Sequence, residues 1–204
     1  LEAIKYYQYI INQGYKDPRV FLNYGVILKN YGKLKEAEFT IRKAIEIKPD
    51  YALAHSNLGN ILKDLGKLKE AEFAARKSIE INPDYAMAHL NLGTILKDLG
   101  KLKEAEVATR KAIEIKSDIA EAHSNLGTIL KNLGKLKEAE FATRKAIEIN
   151  PNYALAHSNL GTILKNLGKL KEAEIAIRKA IKIKPYLASA YFSLSTLKYS
   201  AENK

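Results

Sequence analysis

The stretch HSNLGTILKNLGKLKEAE runs from His123 to Glu140 and returns letter for letter from His157 to Glu174. Close variants begin at His55 and His89, and a looser one, FLNYGVILKNYGKLKEAE, at Phe21. Successive copies are 34 residues apart. A fixed period of this size restricts the chain to a stack of like units. Such an array grows by adding units and has no single central core, so 204 residues say little about domain number.

Within the unit spanning 52–85, Ala54, Leu58, Ile61, Leu62 and Leu65 fall at spacings of three and four, one stripe of an amphipathic helix. Gly66 follows, where a left-handed residue ends a helix. A second helical run from Leu68 to Ile81 carries Leu68, Ala71, Ala75, Ser78 and Ile79 inward, and Asn82-Pro83-Asp84 stops it. The unit is expected to be two antiparallel helices joined by a short turn. Five fit, at 18–51, 52–85, 86–119, 120–153 and 154–187. Each has one glycine at the turn and one inside the first helix: Gly25, Gly59, Gly93, Gly127 and Gly161. A mid-helix glycine costs about 1 kcal/mol against alanine. Five in register imply that the partner helix comes too close for a Cβ. The alanines at 37, 71, 105, 139 and 173 fit the same close approach.

These residues resemble the tetratricopeptide repeat (TPR) family, with its Leu-Gly in the first helix, small residues in the second and a closing proline. The resemblance covers nearly the whole chain. It implies an all-α, right-handed α-solenoid of helix-turn-helix units, a single array over 1–204, with the first helices lining a concave groove. There are departures. Histidine stands at 55, 89, 123 and 157 in place of an early aromatic. Ile41, Ala75, Thr109, Thr143 and Ile177 replace a bulky aromatic in the second helix, with Phe39, Phe73 and Phe141 two places earlier. Ser117 replaces one closing proline. Residues 1–17 match a second helix without its first, and 188–204 match a first helix that reads as a cap, with Ser195 and Glu202 in place of the glycines. The chain opens at Leu1 mid-pattern, which is expected of a fragment. The uncovered face of the N-terminal half-unit is a candidate surface for homo-oligomer formation.

Catalysis finds little footing. The four histidines occupy one repeat position, so stacking holds successive ones about 10 Å apart, whereas zinc needs its nitrogen ligands about 2 Å from one centre. Packing at the start of the first helix accounts for them. No nucleophile–base pair or phosphate-cradling loop stands out. The chain has no cysteine, so neither a disulfide nor a thiolate metal site is available. The chain itself is read as non-enzymatic, without metal or cofactor, not spanning a membrane, and cytoplasmic.

Binding is the better lead. Asn57, Asn60, Lys63 and Asp64 lie on the side of the first helix away from the packing stripe. Two rows recur there. Asn23, Asn57, Asn91, Asn125 and Asn159 form the first, giving way to Ser193 in the cap. A carboxamide can match a peptide backbone whatever its side chains. Amides about 10 Å apart meet every third residue of an extended chain rising ~3.3 Å per residue. This resembles the asparagine ladder of superhelical TPR arrays of the O-linked N-acetylglucosamine transferase type. The second row is Lys29, Lys63, Lys97, Lys131 and Lys165, with Thr94, Thr128 and Thr162 between the rows. Much of the +11 net charge is locally paired, as in Glu72 with Arg76. The lysine row has no acidic residue three or four places on along its own helix, and should draw acidic segments or C-terminal carboxylates. Nucleic acid is disfavoured, because single-strand binders interleave basic and aromatic residues and aromatic residues make up only 8% of the chain. The expected function is a protein–protein interaction scaffold holding an extended acidic peptide ligand. The alternatives are the substrate-presenting arm of a larger glycosyltransferase or sulfotransferase, and a self-associating assembly module.

Overall fold

The stripe of Leu58, Ile61 and Leu62 is buried only if a second helix returns along it, and the turn at Gly66 brings one back. Gly66 has φ +77°, a conformation that costs glycine little. The Lys67 N–H donates to the Leu62 carbonyl and the Gly66 N–H to the Lys63 carbonyl, both at 2.9 Å, satisfying the carbonyls that the helix end leaves free. At the far end of the hairpin Asn82 is extended (φ −137°) and its side-chain oxygen accepts from the Asp84 N–H at 3.2 Å, so the chain turns into the next unit.

The computed structural model describes residues 2–202. Among them are twelve α-helices and no strand, and the chain divides into two compact units, 1–101 and 102–204. The first unit comprises α1 (Glu2–Asn12), α2 (Pro18–Asn30), α3 (Leu34–Ile47), α4 (Ala52–Asp64), α5 (Leu68–Ile81) and α6 (Ala86–Asp98). α2 pairs with α3 and α4 with α5 as hairpins, and each hairpin packs on the helix that follows. The second unit comprises α7 (Leu102–Ile115), α8 (Ala120–Asn132), α9 (Leu136–Ile149), α10 (Ala154–Asn166), α11 (Leu170–Ile183) and α12 (Ala188–Glu202), with α8–α9 and α10–α11 as its hairpins. In both units the first helices approach one another (α2 with α4 and α4 with α6; α8 with α10 and α10 with α12). Backbone contact does not join α3 to α5 or α9 to α11 among the described residues. The first helices therefore form the tighter, inner layer of each unit.

The mid-helix glycines allow the hairpins to close. A Cβ on Gly161 would run into the side chain of the fully buried Ile177, and one on Gly127 into the Thr143 hydroxyl. At Gly59 the nearest atom would be the Ala71 carbonyl oxygen, 3.3 Å away, because Ala75 leaves more room. Beneath them lie Leu160, Leu164, Ala173, Ile177 and Ala180 in the second unit, packed with Ala190 and Leu197 of α12.

Consecutive repeats are also clasped by charge. Glu140 on α9 accepts from Arg144 one turn on, at 2.8 Å, and from Lys169 in the next repeat's turn, at 2.9 Å. Arg144 reaches onward to Glu172 at 3.0 Å. Glu38 and Glu72 are held in the same way by Lys67 and Lys101 of the following turns, both at 2.9 Å. The hydrogen bond from Lys169 draws the Glu140 carboxyl down, partial burial opposes it, and Arg144 adds to the fall, so the group sits below its ordinary range.

Gly161→Ala is expected to lower unfolding stability by about 2 kcal/mol in urea titration, since overpacking exceeds the gain in helix propensity. Gly59→Ala should cost less than about 1 kcal/mol. The lowered carboxylate implies a second outcome. Its stabilisation is complete above the unfolded carboxylate range and is lost as pH falls through the depressed native value. Glu140→Gln should cost about 1 kcal/mol at neutral pH, a difference that shrinks towards zero as pH falls through the depressed native value.

Candidate functional site

The inner layer carries both polar rows, and their environments differ along the chain. Asn23 on α2 is exposed. Asn57 on α4 is half-buried and its amide donates to the Leu53 carbonyl at 2.8 Å. Asn91 on α6 is buried at 9% exposure and donates to Ser56 Oγ on α4 at 2.8 Å. Ser56 also bonds the Tyr85 hydroxyl, whose pKa is raised by burial and partly restored by that bond. In the second unit Asn159 on α10 is half-buried and donates to Ser124 Oγ and Thr128 Oγ1 on α8, both at 3.2 Å. Asn125 on α8 is half-buried. At Asn91 and Asn159, then, an amide N–H joins consecutive first helices. No buried side-chain nitrogen or oxygen among the described residues lacks a partner. Among the described residues neither carboxamide oxygen, of Asn91 or of Asn159, accepts a hydrogen bond from the protein.

The threonines of this layer are half-buried and turned partly inward. Thr94 donates to the Leu90 carbonyl (3.1 Å), Thr128 to Ser124 (3.2 Å) and Thr162 to Ser158 (3.2 Å), with the Thr162 hydroxyl also meeting Ser193 at 3.2 Å.

The lysine row has acidic partners in the first unit that a search at helical spacing misses. Lys63 pairs with its own neighbour Asp64 at 2.7 Å, and Lys97 with Asp98 at 3.1 Å. Lys29 reaches across to Asp64 at 3.4 Å. Partial burial pushes the Asp64 carboxyl up, but the Lys63 hydrogen bond and the charges of Lys63 and Lys29 outweigh it and leave it lowered. In the second unit asparagine follows each row lysine, at 132 and 166. Among the described residues neither Lys131 nor Lys165 has a carboxylate within 4.0 Å, and both are half-buried. The signal was present in the sequence as an alternation of Asp and Asn directly after the lysine.

The histidines act as loop staples. Nε2–H of His55, His89, His123 and His157 donates to the carbonyl six residues before, at Pro49 (2.8 Å), Pro83 (2.8 Å), Ser117 (2.9 Å) and Pro151 (2.9 Å). Ser117 offers the same carbonyl as proline, so its substitution leaves the staple intact. Among the described residues no three His, Asp or Glu side chains gather as a metal site, and no helix is long and apolar enough to cross a membrane. On the outer layer Phe39, Phe73 and Phe141 are largely exposed, with Val107 and Ile175 at the same position, so they do not stand in for the missing second-helix aromatic. Phe141 edges a recess of about 610 Å³ floored by Leu126, Leu130 and Ala142. Sequence reading did not foresee these recesses, since they arise where a small second-helix residue meets the preceding hairpin.

Three family models, each described as Tetratricopeptide repeat, match residues 18–51, 52–85 with 120–153, and 74–107 with 142–175. No curated protein matches the chain. Among solved structures the chain is similar to YrrB, described as a TPR protein with an unusual peptide-binding site, at 25% identity over 93% of this chain and 97% of that one, with a TM-score of 0.67. It is similar to PilF from Pseudomonas aeruginosa at 20% identity, covering 91% and 84% of the two chains, with a TM-score of 0.80. A MamA fragment from Desulfovibrio magneticus RS-1 gives 19% identity, coverage of 84% and 97%, and a TM-score of 0.70. The last two likenesses are of fold alone.

The asparagine row can be divided by stability. Asn91→Ala removes a buried donor from Ser56 and should cost about 1 kcal/mol in thermal or urea unfolding. Asn23→Ala, exposed, should stay within about 0.5 kcal/mol of the parent.

Proposed function

Because the chain belongs to the tetratricopeptide repeat family, whose fold is that of a protein–protein interaction scaffold, we propose that the inner layer of first helices holds an extended, acidic peptide segment of a partner protein. The observation that carries this reading is the pairing of two features on the first-helix layer of each unit: a carboxamide tied to the neighbouring first helix, Asn91 in the first unit and Asn159 in the second, and the row lysines on the same layer. An amide whose N–H is tied to the neighbouring helix has a fixed orientation, so its oxygen is preorganised to accept a ligand backbone N–H at little entropic cost. The lysines supply attraction for carboxylates without demanding a particular geometry. YrrB, similar along nearly its whole length, has a peptide-binding site, which supports a peptide as the ligand class.

Fluorescence anisotropy with a labelled, extended acidic peptide tests the reading. Affinity should fall at least about fivefold as ionic strength rises from about 0.05 M to about 0.5 M, since exposed charge pairs are screened. The pair Asn91→Ala with Asn159→Ala should weaken binding by about tenfold, the loss of roughly two hydrogen bonds, while circular dichroism shows the helical content retained. Unchanged affinity in the asparagine pair, or a flat salt response, overturns it.

A further inference from the structure

We infer that carboxylate recognition resides in the second unit, where a ligand's side-chain carboxylate bridges Lys131 and Lys165; this rests on the peptide-binding reading above. The first unit contains the template. There Asp64 stands between consecutive row lysines, one carboxylate oxygen 2.7 Å from Lys63 and the other 3.4 Å from Lys29 of the preceding repeat. The chain's own carboxylate thus occupies the place that two stacked lysines create. In the second unit the corresponding lysines are Lys165 and Lys131, and the residue in the place of Asp64 is Asn166.

A carboxamide there is neutral and cannot satisfy either ammonium group as an anion does. Asn132 likewise replaces the acidic residue that follows Lys63 and Lys97. In the first unit three row lysines face two aspartates; in the second, two lysines face none. Two like charges at adjacent row positions on half-buried stems attract an anion jointly, and more strongly than either does alone. The reach of Lys29 to Asp64 shows that adjacent row positions can grip one carboxylate. A peptide in the extended polyproline II conformation, with three residues per turn, presents an acidic residue at every third position on one face about 9 Å apart, close to the spacing of stacked repeats. The near-identical repeats therefore differ in electrostatic role: the first unit is largely neutralised along this row, two aspartates against three lysines, and the second is open to an acidic partner.

Reciprocal charge exchange tests this, with an amidated peptide of repeating Glu-Ser-Gly as the probe and its Gln-Ser-Gly counterpart as the neutral arm. Amidation removes the terminal carboxylate as a competing source. The parent protein should bind the glutamate peptide more tightly than the glutamine peptide. Asn166→Asp should weaken the glutamate peptide by about tenfold, to the level of the neutral arm, as expected for losing a bridged carboxylate. Asp64→Asn should strengthen binding or add a second equivalent in calorimetric stoichiometry. Both positions are exposed at the last residue of a helix, and circular dichroism confirms that each variant folds. If the parent binds both peptides equally, or Asn166→Asp has no effect, the lysine bridge is overturned while peptide binding stands. If the parent binds neither peptide, both readings fall together.

Discussion

The fold depends on a missing atom. In each hairpin a first helix meets a second at a glycine, and Gly161 and Gly127 leave no room for a methyl group against Ile177 and Thr143. Glycine weakens an isolated helix, so the residue is tolerable only where contact with the partner helix returns more than propensity loses. That contact brings Leu160 and Leu164 onto Ala173, Ile177 and Ala180 and excludes water from between the helices. Without the close approach the turn at Gly168 would still reverse the chain, but the two stripes would not interdigitate.

Hairpins alone bury too little, and the contacts between them divide by layer. On the inner side, where first-helix backbones approach, short polar groups suffice: Asn91 to Ser56, Asn159 to Ser124 and Thr128. On the outer side the second helices lie farther apart, and only long side chains span the gap, as Arg42 does to Glu70 and Arg144 to Glu172. The choice of Asn and Ser inside and of Arg, Lys and Glu outside follows from the distance each pair must cover. The exposed pairs contribute little singly; they favour one register because each glutamate such as Glu140 is held by two cations from different repeats.

Most of the backbone was legible in the sequence, since a glycine, a proline and a stripe of leucines recur every 34 residues and each has a local mechanism. The helices fall where those signals put them, with Gly66 left-handed and α5 ending at Ile81. The candidate site was legible only in outline. Side-chain spacing along one helix puts Asn91 and Lys63 on the first helices, but their partners come from elsewhere. Ser56 is 35 residues from Asn91, and Lys29 as far from Asp64. Lys63 meets the residue next to it at the end of the helix, where no residue follows at the usual three- or four-residue spacing within the helix. The outer recesses beside Phe141 depend on volumes contributed by two hairpins, which no single stripe reveals.

Repetition makes the departures from the period the informative residues. The repeated positions determine where a side chain sits; a substitution in one copy then changes chemistry at a place whose geometry another copy already defines. Ala75, Thr143 and Ile177 occupy one such place and differ in how much room their side chains leave over the facing glycine. Asp64 and Asn166 occupy another. Their side chains are nearly the same size and differ in charge, so exchanging one for the other leaves packing untouched and alters only what the neighbouring lysines can hold. An array of copies can thus vary its electrostatic surface unit by unit at almost no cost to its core. In this chain the variation falls on the same inner layer as the ordered carboxamides.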